Sequence, residues 1–366
     1  MEKFAHGGNV YDGTGKKKSW IDMSANINPL GIPPSVRQVL QDHLEDIVYY
    51  PDPAAEAFKQ AVYRHYRIEK EYTVAGNGAA ELLYVWFHAY RPATLVLPVP
   101  SFNEYERAAL AGGAAIQYIY LSENNEFAGD WEKIAASCPS GSCLILGNPN
   151  NPTGTLINRD TAVSCVRICA AHNVFVIIDE SFLDFRDDGA DYTVLDLVRK
   201  YDNLLVLRSL TKFYALPGLR LAFAAAAETV VARMEAHKDC WNVNVLAQLA
   251  GAAALRDNEY ARASIALIKR EAAFLKRHLS AINGVRIFGG TVNFILIKLE
   301  RMYGSATVCV SFLEQEGILL RNCSNYEGLN DRFLRIAVKD RKTNEIVIKM
   351  IKNILIMTKL DRLNVF

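Results

Sequence analysis

The sequence predicts an α/β protein built on a largely parallel sheet with helices on both faces, followed by a smaller α+β domain. Three observations carry this prediction. The middle of the chain alternates short apolar, β-branched runs with helical patterns, as strand–helix–strand units do. Those runs are continuously apolar, the mark of strands buried on both faces. Beyond about residue 245 the pattern changes to one long amphipathic segment followed by a few strands.

In chain order, Pro33 and Pro34 precede a helical pattern over Ser35–Asp46, proline being well tolerated at the start of a helix. This N-terminal stretch is expected to pack on the smaller domain. Strands are expected at 94–99 (TLVLPV), 143–147 (CLILG), 174–179 (VFVIID), 204–210 (LLVLRSL) and 220–226 (RLAFAAA), with a helix over Arg159–His172. Within 258–281 and just beyond, Ile268, Ala272, Leu275, Leu279 and Ile282 recur at helical spacing, and Gly284 supplies a stop. Strands at 292–299, 317–323 and 333–338, a helix near 305–316 and a last helix from about 343 complete the chain. The predicted division is a large domain over 47–250 and a small domain assembled from 1–46 and 251–366.

The 366 residues carry 41 Lys+Arg against 40 Asp+Glu, a net charge of +1, so no basic field draws the chain to nucleic acid or to an acidic membrane. The longest apolar stretch, Leu221–Ala227, is far short of the ~20 residues a spanning helix needs. The opening segment MEKFAHGGNVYDGTGKKK lacks the apolar core of a signal peptide. Seven cysteines, odd in number and without a CxxC, read as reduced thiols of a cytoplasmic protein, with neither disulfide nor metal site expected.

Ligands of open α/β sheets sit beyond the carboxyl ends of the strands. Asn148–Gly154 (NPNNPTG) follows the strand at 143–147, and Asp179 and Glu180 follow the next. Ser209, Thr211 and Lys212 follow 204–208, with Arg220 beyond them. Parallel strands would bring all of these to one edge. Singly, each has a plainer explanation: a turn, a helix cap, a solvated lysine.

Together, NPNNPTG, DES and SLTKFYALPGLR resemble the motifs of the fold-type I pyridoxal-phosphate (PLP) enzymes of the aminotransferase class I/II superfamily, over nearly the whole chain. The resemblance implies a role for each residue. Lys212 would bond to the cofactor aldehyde, which only an unprotonated amine can attack; burial beside Arg220 would favour that form. Asp179 would face the pyridine nitrogen, its carboxylate keeping the ring protonated. Asn151 would donate to the ring O3′. Ser209 and Arg220 would hold the cofactor phosphate with the backbone of Gly78, Ala79 and Ala80. These three lie in AGNGAAELLYVWF (75–87), a glycine-containing loop entering a helix, where free N–H groups meet an anion. Glu81 stands where a dinucleotide fingerprint would have its third glycine, which argues against NAD. Phe102 matches the aromatic that stacks on the ring. Tyr50 matches a tyrosine that reaches the phosphate of a partner chain's site, implying a homodimer with shared active sites.

HGGNVY (6–11), DMSANINPLG (22–31) and GILLRNCSNYEGLNDRFLRIAVK (317–339) resemble the threonine-phosphate decarboxylases of cobalamin biosynthesis, relatives of the histidinol-phosphate aminotransferases. Phe182 stands where most aminotransferases have a tyrosine that donates to O3′; the decarboxylase branch carries phenylalanine, and simple packing is the other explanation. Arg335 sits among apolar neighbours, where an unpaired guanidinium is costly and a carboxylate suits its fork. The resemblance assigns Arg335 to the substrate α-carboxylate and Arg321 to the substrate phosphate or carboxylate, a structural ion pair being the alternative for both. His6 would touch the substrate phosphate or lie on the surface. Asn28, with Ile27, would meet the carboxylate.

The implied activity is PLP-dependent decarboxylation of O-phospho-L-threonine to aminopropanol phosphate. O-phospho-L-serine, giving ethanolamine phosphate, would be the alternative substrate, since one methyl discriminates by only ~1–3 kcal/mol. The alternatives are a histidinol-phosphate-type aminotransferase and, in another class, a non-catalytic PLP-binding regulator. Lys212 and a bound water both remain open as the proton donor after CO2 loss.

Overall fold

The computed structural model describes residues 2–300 and 304–363. The first half of the chain contributes β1 (Ile21–Asp22), α1 (Pro34–Asp42), α2 (Glu56–Tyr66), β2 (Thr73–Gly76), α3 (Ala79–Tyr90), β3 (Thr94–Val99), α4 (Asn103–Ala111), β4 (Ala115–Tyr120), α5 (Trp131–Ala136), β5 (Cys143–Gly147), α6 (Arg159–Ala171) and β6 (Phe175–Asp179). Then follow β7 (Leu204–Ser209), α7 (Leu210–Phe213), β8 (Ala222–Ala226), α8 (Glu228–Glu235), α9 (Val245–Ala254), α10 (Asn258–Ser280), β9 (Val285–Phe288), β10 (Phe294–Leu299), α11 (Ala306–Gln315), β11 (Ile318–Leu319), β12 (Arg321–Asn322), β13 (Phe333–Ala337) and α12 (Arg341–Leu363).

The large sheet has seven strands in the order β2-β8-β7-β6-β5-β3-β4. Neighbours from β4 to β7 pair in parallel, whereas β8 is antiparallel to both β7 and β2. The continuous apolar runs have a direct cause. Leu144, Leu146, Val176, Ile178 and Val206 pack into the core on one side of the sheet. Their sequence neighbours Cys143, Ile145, Ile177, Leu205 and Leu207 pack into the core on the other.

A four-stranded antiparallel sheet, β12-β13-β10-β9, forms the smaller unit. The expected strand at 317–323 is divided: Ile318–Leu319 pairs in parallel with β1, and Arg321–Asn322 pairs with β13. The N-terminal strand β1 thus pairs with β11 in a two-stranded sheet of its own. The N-terminal helix does not follow it. It ends at Asp42, gives way to a 3-10 turn over Leu44–Val48, and packs along α9. Ser35 Oγ of α1 donates to Asp257 Oδ2 at 2.6 Å, which anchors the start of that helix beyond the end of α9. Among the described residues no helix is long and apolar enough to cross a membrane.

Candidate active site

A cavity of about 170 Å³ opens at the carboxyl ends of β5, β6 and β7. The loop after β5 is self-braced. Asn148 both donates to and accepts from the backbone of Ile157 (3.0 and 2.9 Å), and Asn150 donates to Pro100 O and Thr153 Oγ1. Asn151 is left to line the cavity. At the end of β6 successive side chains diverge: Asp179 lines the cavity, while Glu180 is fully buried against Arg208 of β7 at 2.7 Å. Glu180, expected at the same edge, is therefore a structural carboxylate. Ser209, Thr211 and Lys212 line the cavity from the end of β7 and from α7. Arg220 joins them because β8 is antiparallel, so its amino end lies at the edge where β5–β7 finish.

Asp179 accepts from the Tyr105 hydroxyl at 2.7 Å and from the Ser181 backbone N–H at 2.9 Å. Burial and the facing carboxylate push the Tyr105 phenol well above its usual range, so it stays a donor. Lys212 is half-buried. Burial, then Arg335 and Arg220, push its amine down to about 8, against the smaller opposing pull of Asp22 and Asp179. The neutral amine therefore dominates above that pH. The rate at which cofactor-free protein captures PLP, followed by absorbance, should rise through a midpoint near pH 8 and level off above it. A midpoint near the ordinary 10.5 would show that the amine is not desolvated.

The residues present fit a phosphorylated cofactor. Gly78 precedes α3 with φ +84°, and a Cβ there would lie 2.2 Å from Arg220 Nη2, so only glycine lets the guanidinium approach. Ala79 and Ala80 open α3 into the cavity, presenting unbonded N–H groups beside Arg220 and the Ser209 hydroxyl. Glu81 turns back to accept from the Asn77 N–H at 2.6 Å, which braces the loop rather than opening it to a dinucleotide. Phe102 lines the cavity with its ring edge-on to Tyr105, centroids 5.6 Å apart.

At the other end Arg335 is buried. Its Nη1 donates to Asn151 Oδ1 and Tyr326 Oη, and its Nη2 to Ser24 O at 2.7 Å, while its Nε has no partner. Among the described residues no carboxylate pairs with it, so its partners are all neutral, an arrangement that suits an external anion. Because Asn151 commits its oxygen to Arg335, its amide nitrogen is the end available to a cofactor oxygen. Arg321 lines the cavity and donates to Ala5 O and Asn325 Oδ1, both at 2.8 Å. His6 lines it too, held by Glu104 at 2.7 Å. Phe182 presents its ring there, edge-on to Phe294 at 5.0 Å.

Two expected residues lie elsewhere. Asn28 does not line the cavity: its amide donates to Phe213 O and Ser264 Oγ, each at 2.7 Å, and its oxygen accepts from Leu30 N. It buttresses the chain beneath Lys212, whose carbonyl accepts from the Asn28 N–H. Tyr50 is 78% exposed, stacked on Trp241 at 4.3 Å and outside its own chain's cavity. Conversely, Asn26, Tyr105, Ser181 and Tyr326 line the cavity without having been anticipated. Tyr105 had a signal, lying one helical turn after Phe102.

Comparison with known proteins identifies relatives of the whole chain. The family model for aminotransferase class I and II matches residues 18–351. The chain is 34% identical to the threonine-phosphate decarboxylase of Salmonella typhimurium over 96% of each chain. It is 28% identical to the histidinol-phosphate aminotransferase of Ruminiclostridium cellulolyticum over 90% of each. Among solved structures, the histidinol-phosphate aminotransferase from Clostridium acetobutylicum superposes with a TM-score of 0.84 at 31% identity, covering 91% of this chain and 98% of that one.

Proposed function

The chain belongs to the aminotransferase class I and II family, and from that premise we propose that it is a PLP-dependent decarboxylase of O-phospho-L-threonine, supplying aminopropanol phosphate to cobalamin biosynthesis. The observation that carries this reading is the presence of Arg335 and Arg321 in the cavity that holds Lys212 and Asp179. Arg220 lies at the cofactor-phosphate end, and Arg335 and Arg321 line the other end of the cavity, a charge pattern that matches a substrate bearing both carboxylate and phosphate.

PLP, when bound, supplies an aldehyde that condenses with amines and a cationic ring that accepts the electron pair released when a bond to Cα breaks. The chain's residues govern which bond that is. Arg335 would place the carboxylate, and small rotations of the substrate about that grip would decide whether the bond to carbon or the bond to hydrogen breaks. A uniform grip on the carboxylate would stabilise the ground state as well, so Arg335 acts through placement. Arg321 and His6 receive the phosphate. Asp179, fixed by Tyr105 and Ser181, would face the ring nitrogen and keep it protonated. Phe182 offers no hydroxyl to O3′. Lys212 is a proton carrier suited to near-neutral pH and can protonate Cα once CO2 has left.

Phosphothreonine supplied without any keto acid should release one CO2 per aminopropanol phosphate formed. Turnover only with 2-oxoglutarate would instead make it an aminotransferase, the activity named for the 31% identical solved structure. PLP binding with neither activity would make it a regulator. Phosphoserine in the same assay ranks the two substrates.

We also propose a cytoplasmic homodimer with shared sites. Tyr50 is supported in a cross-chain role by its exposure beside Leu44, Ile47, Val48 and Tyr49, an apolar patch of the kind that partners cover. The cysteines, all free, suit a reducing compartment.

A further inference from the structure

A second cleft, of about 540 Å³, lies at the opposite edge of the large sheet. Ser142 just before β5, Phe175 opening β6 and Asn203 just before β7 line it at the amino ends of those strands, and Trp86 and Tyr90 of α3 line its side. Trp86 and Tyr90 stack at 5.0 Å with 9° between their planes, and Phe175 lies 4.8 Å from Trp86.

Three of these residues carry a buried polar atom with no partner: Trp86 Nε1, Ser142 Oγ and Asn203 Oδ1. Such atoms are destabilising in a fold unless something satisfies them. The active-site cavity bears the same mark in Asn26 Oδ1, Ser181 Oγ and Arg335 Nε. The polarity of the second set is fixed. Asn203 donates its amide N–H groups to Val166 O and Val174 O at 3.3 and 3.0 Å, so its free atom is an acceptor. The indole N–H is a donor only, and the Ser142 hydroxyl serves either way.

We propose that this cleft binds a flat heteroaromatic base that presents a ring-nitrogen acceptor to Trp86 and an adjacent N–H donor to Asn203, the chemistry of an aminopurine. Tyr90 and Phe175, both partly exposed, supply the stacking surface such a ring takes, with Trp86 buried against them. The site is separate from the decarboxylase cavity and does not depend on that assignment.

Calorimetric titration of the PLP-loaded protein with adenosine should show one saturable site per chain. Purine riboside, which lacks the exocyclic amine, should bind about fivefold to tenfold more weakly. Trp86→Phe keeps the ring and removes the donor; it should weaken adenosine about tenfold and leave CO2 release from phosphothreonine unchanged. Ser142→Ala, a smaller change, should weaken adenosine in the same direction if Trp86→Phe fails to fold. Absence of saturation at concentrations of about 5 mM, equal binding of adenosine and purine riboside, or displacement of adenosine by substrate would each overturn the proposal.

Discussion

Lys212→Ala should abolish decarboxylation, lowering kcat by on the order of ten-thousandfold. The substitution removes the nucleophile that captures the cofactor and the nearest proton carrier in one step. It also removes an amine that burial and two guanidinium groups already disfavour as a cation, so the fold should survive. Near-UV circular dichroism like that of the parent, together with loss of the yellow absorbance that borohydride bleaches, would separate lost chemistry from lost structure. A variant that kept a tenth of the parent activity would remove Lys212 from the mechanism.

Asp179→Asn keeps the volume and loses the charge. Without a carboxylate the ring nitrogen has no counter-ion, and kcat should fall by about a hundredfold to a thousandfold. The fall should come with a shift in the absorbance of the bound cofactor. Tyr105→Phe isolates the supporting contact: it deletes one donor to Asp179 and leaves Ser181 N–H in place, so a loss of about tenfold is expected. Steady-state kinetics and a pH titration of the absorbance on both variants test this order. If Asp179→Asn retained the parent kcat, the carboxylate would not face the reacting ring.

The central strands were legible because both faces are buried, which leaves 143–146 and 204–207 apolar throughout, and polar residues enter only at the carboxyl end of β7, as Arg208 and Ser209. β4 escaped because it is a partly exposed edge, and β2 because four residues carry too little pattern. The antiparallel direction of β8 could not be read at all, since an apolar run has no polarity along the chain. The same limit applies to the site. Lys212, Asp179, Asn151 and Arg220 stand in motifs of fixed spacing. Asn28 does not: in SANIN two asparagines compete, and the backbone turns Asn26 into the cavity while Asn28 is spent on Phe213 and Ser264. Tyr326 comes from a loop whose position is set by the smaller unit, so no local pattern could announce it.

The pocket draws its walls from segments far apart in the sequence, His6 in one and Arg335 in the other, with Arg321 clasping the carbonyl of Ala5 between them. During synthesis the large sheet can form while the ribosome is still translating, yet the partially emerged molecule lacks the wall that receives substrate. Arg321 and Arg335 are made last of these walls, so the cavity can be complete only once β12 and β13 have been synthesised.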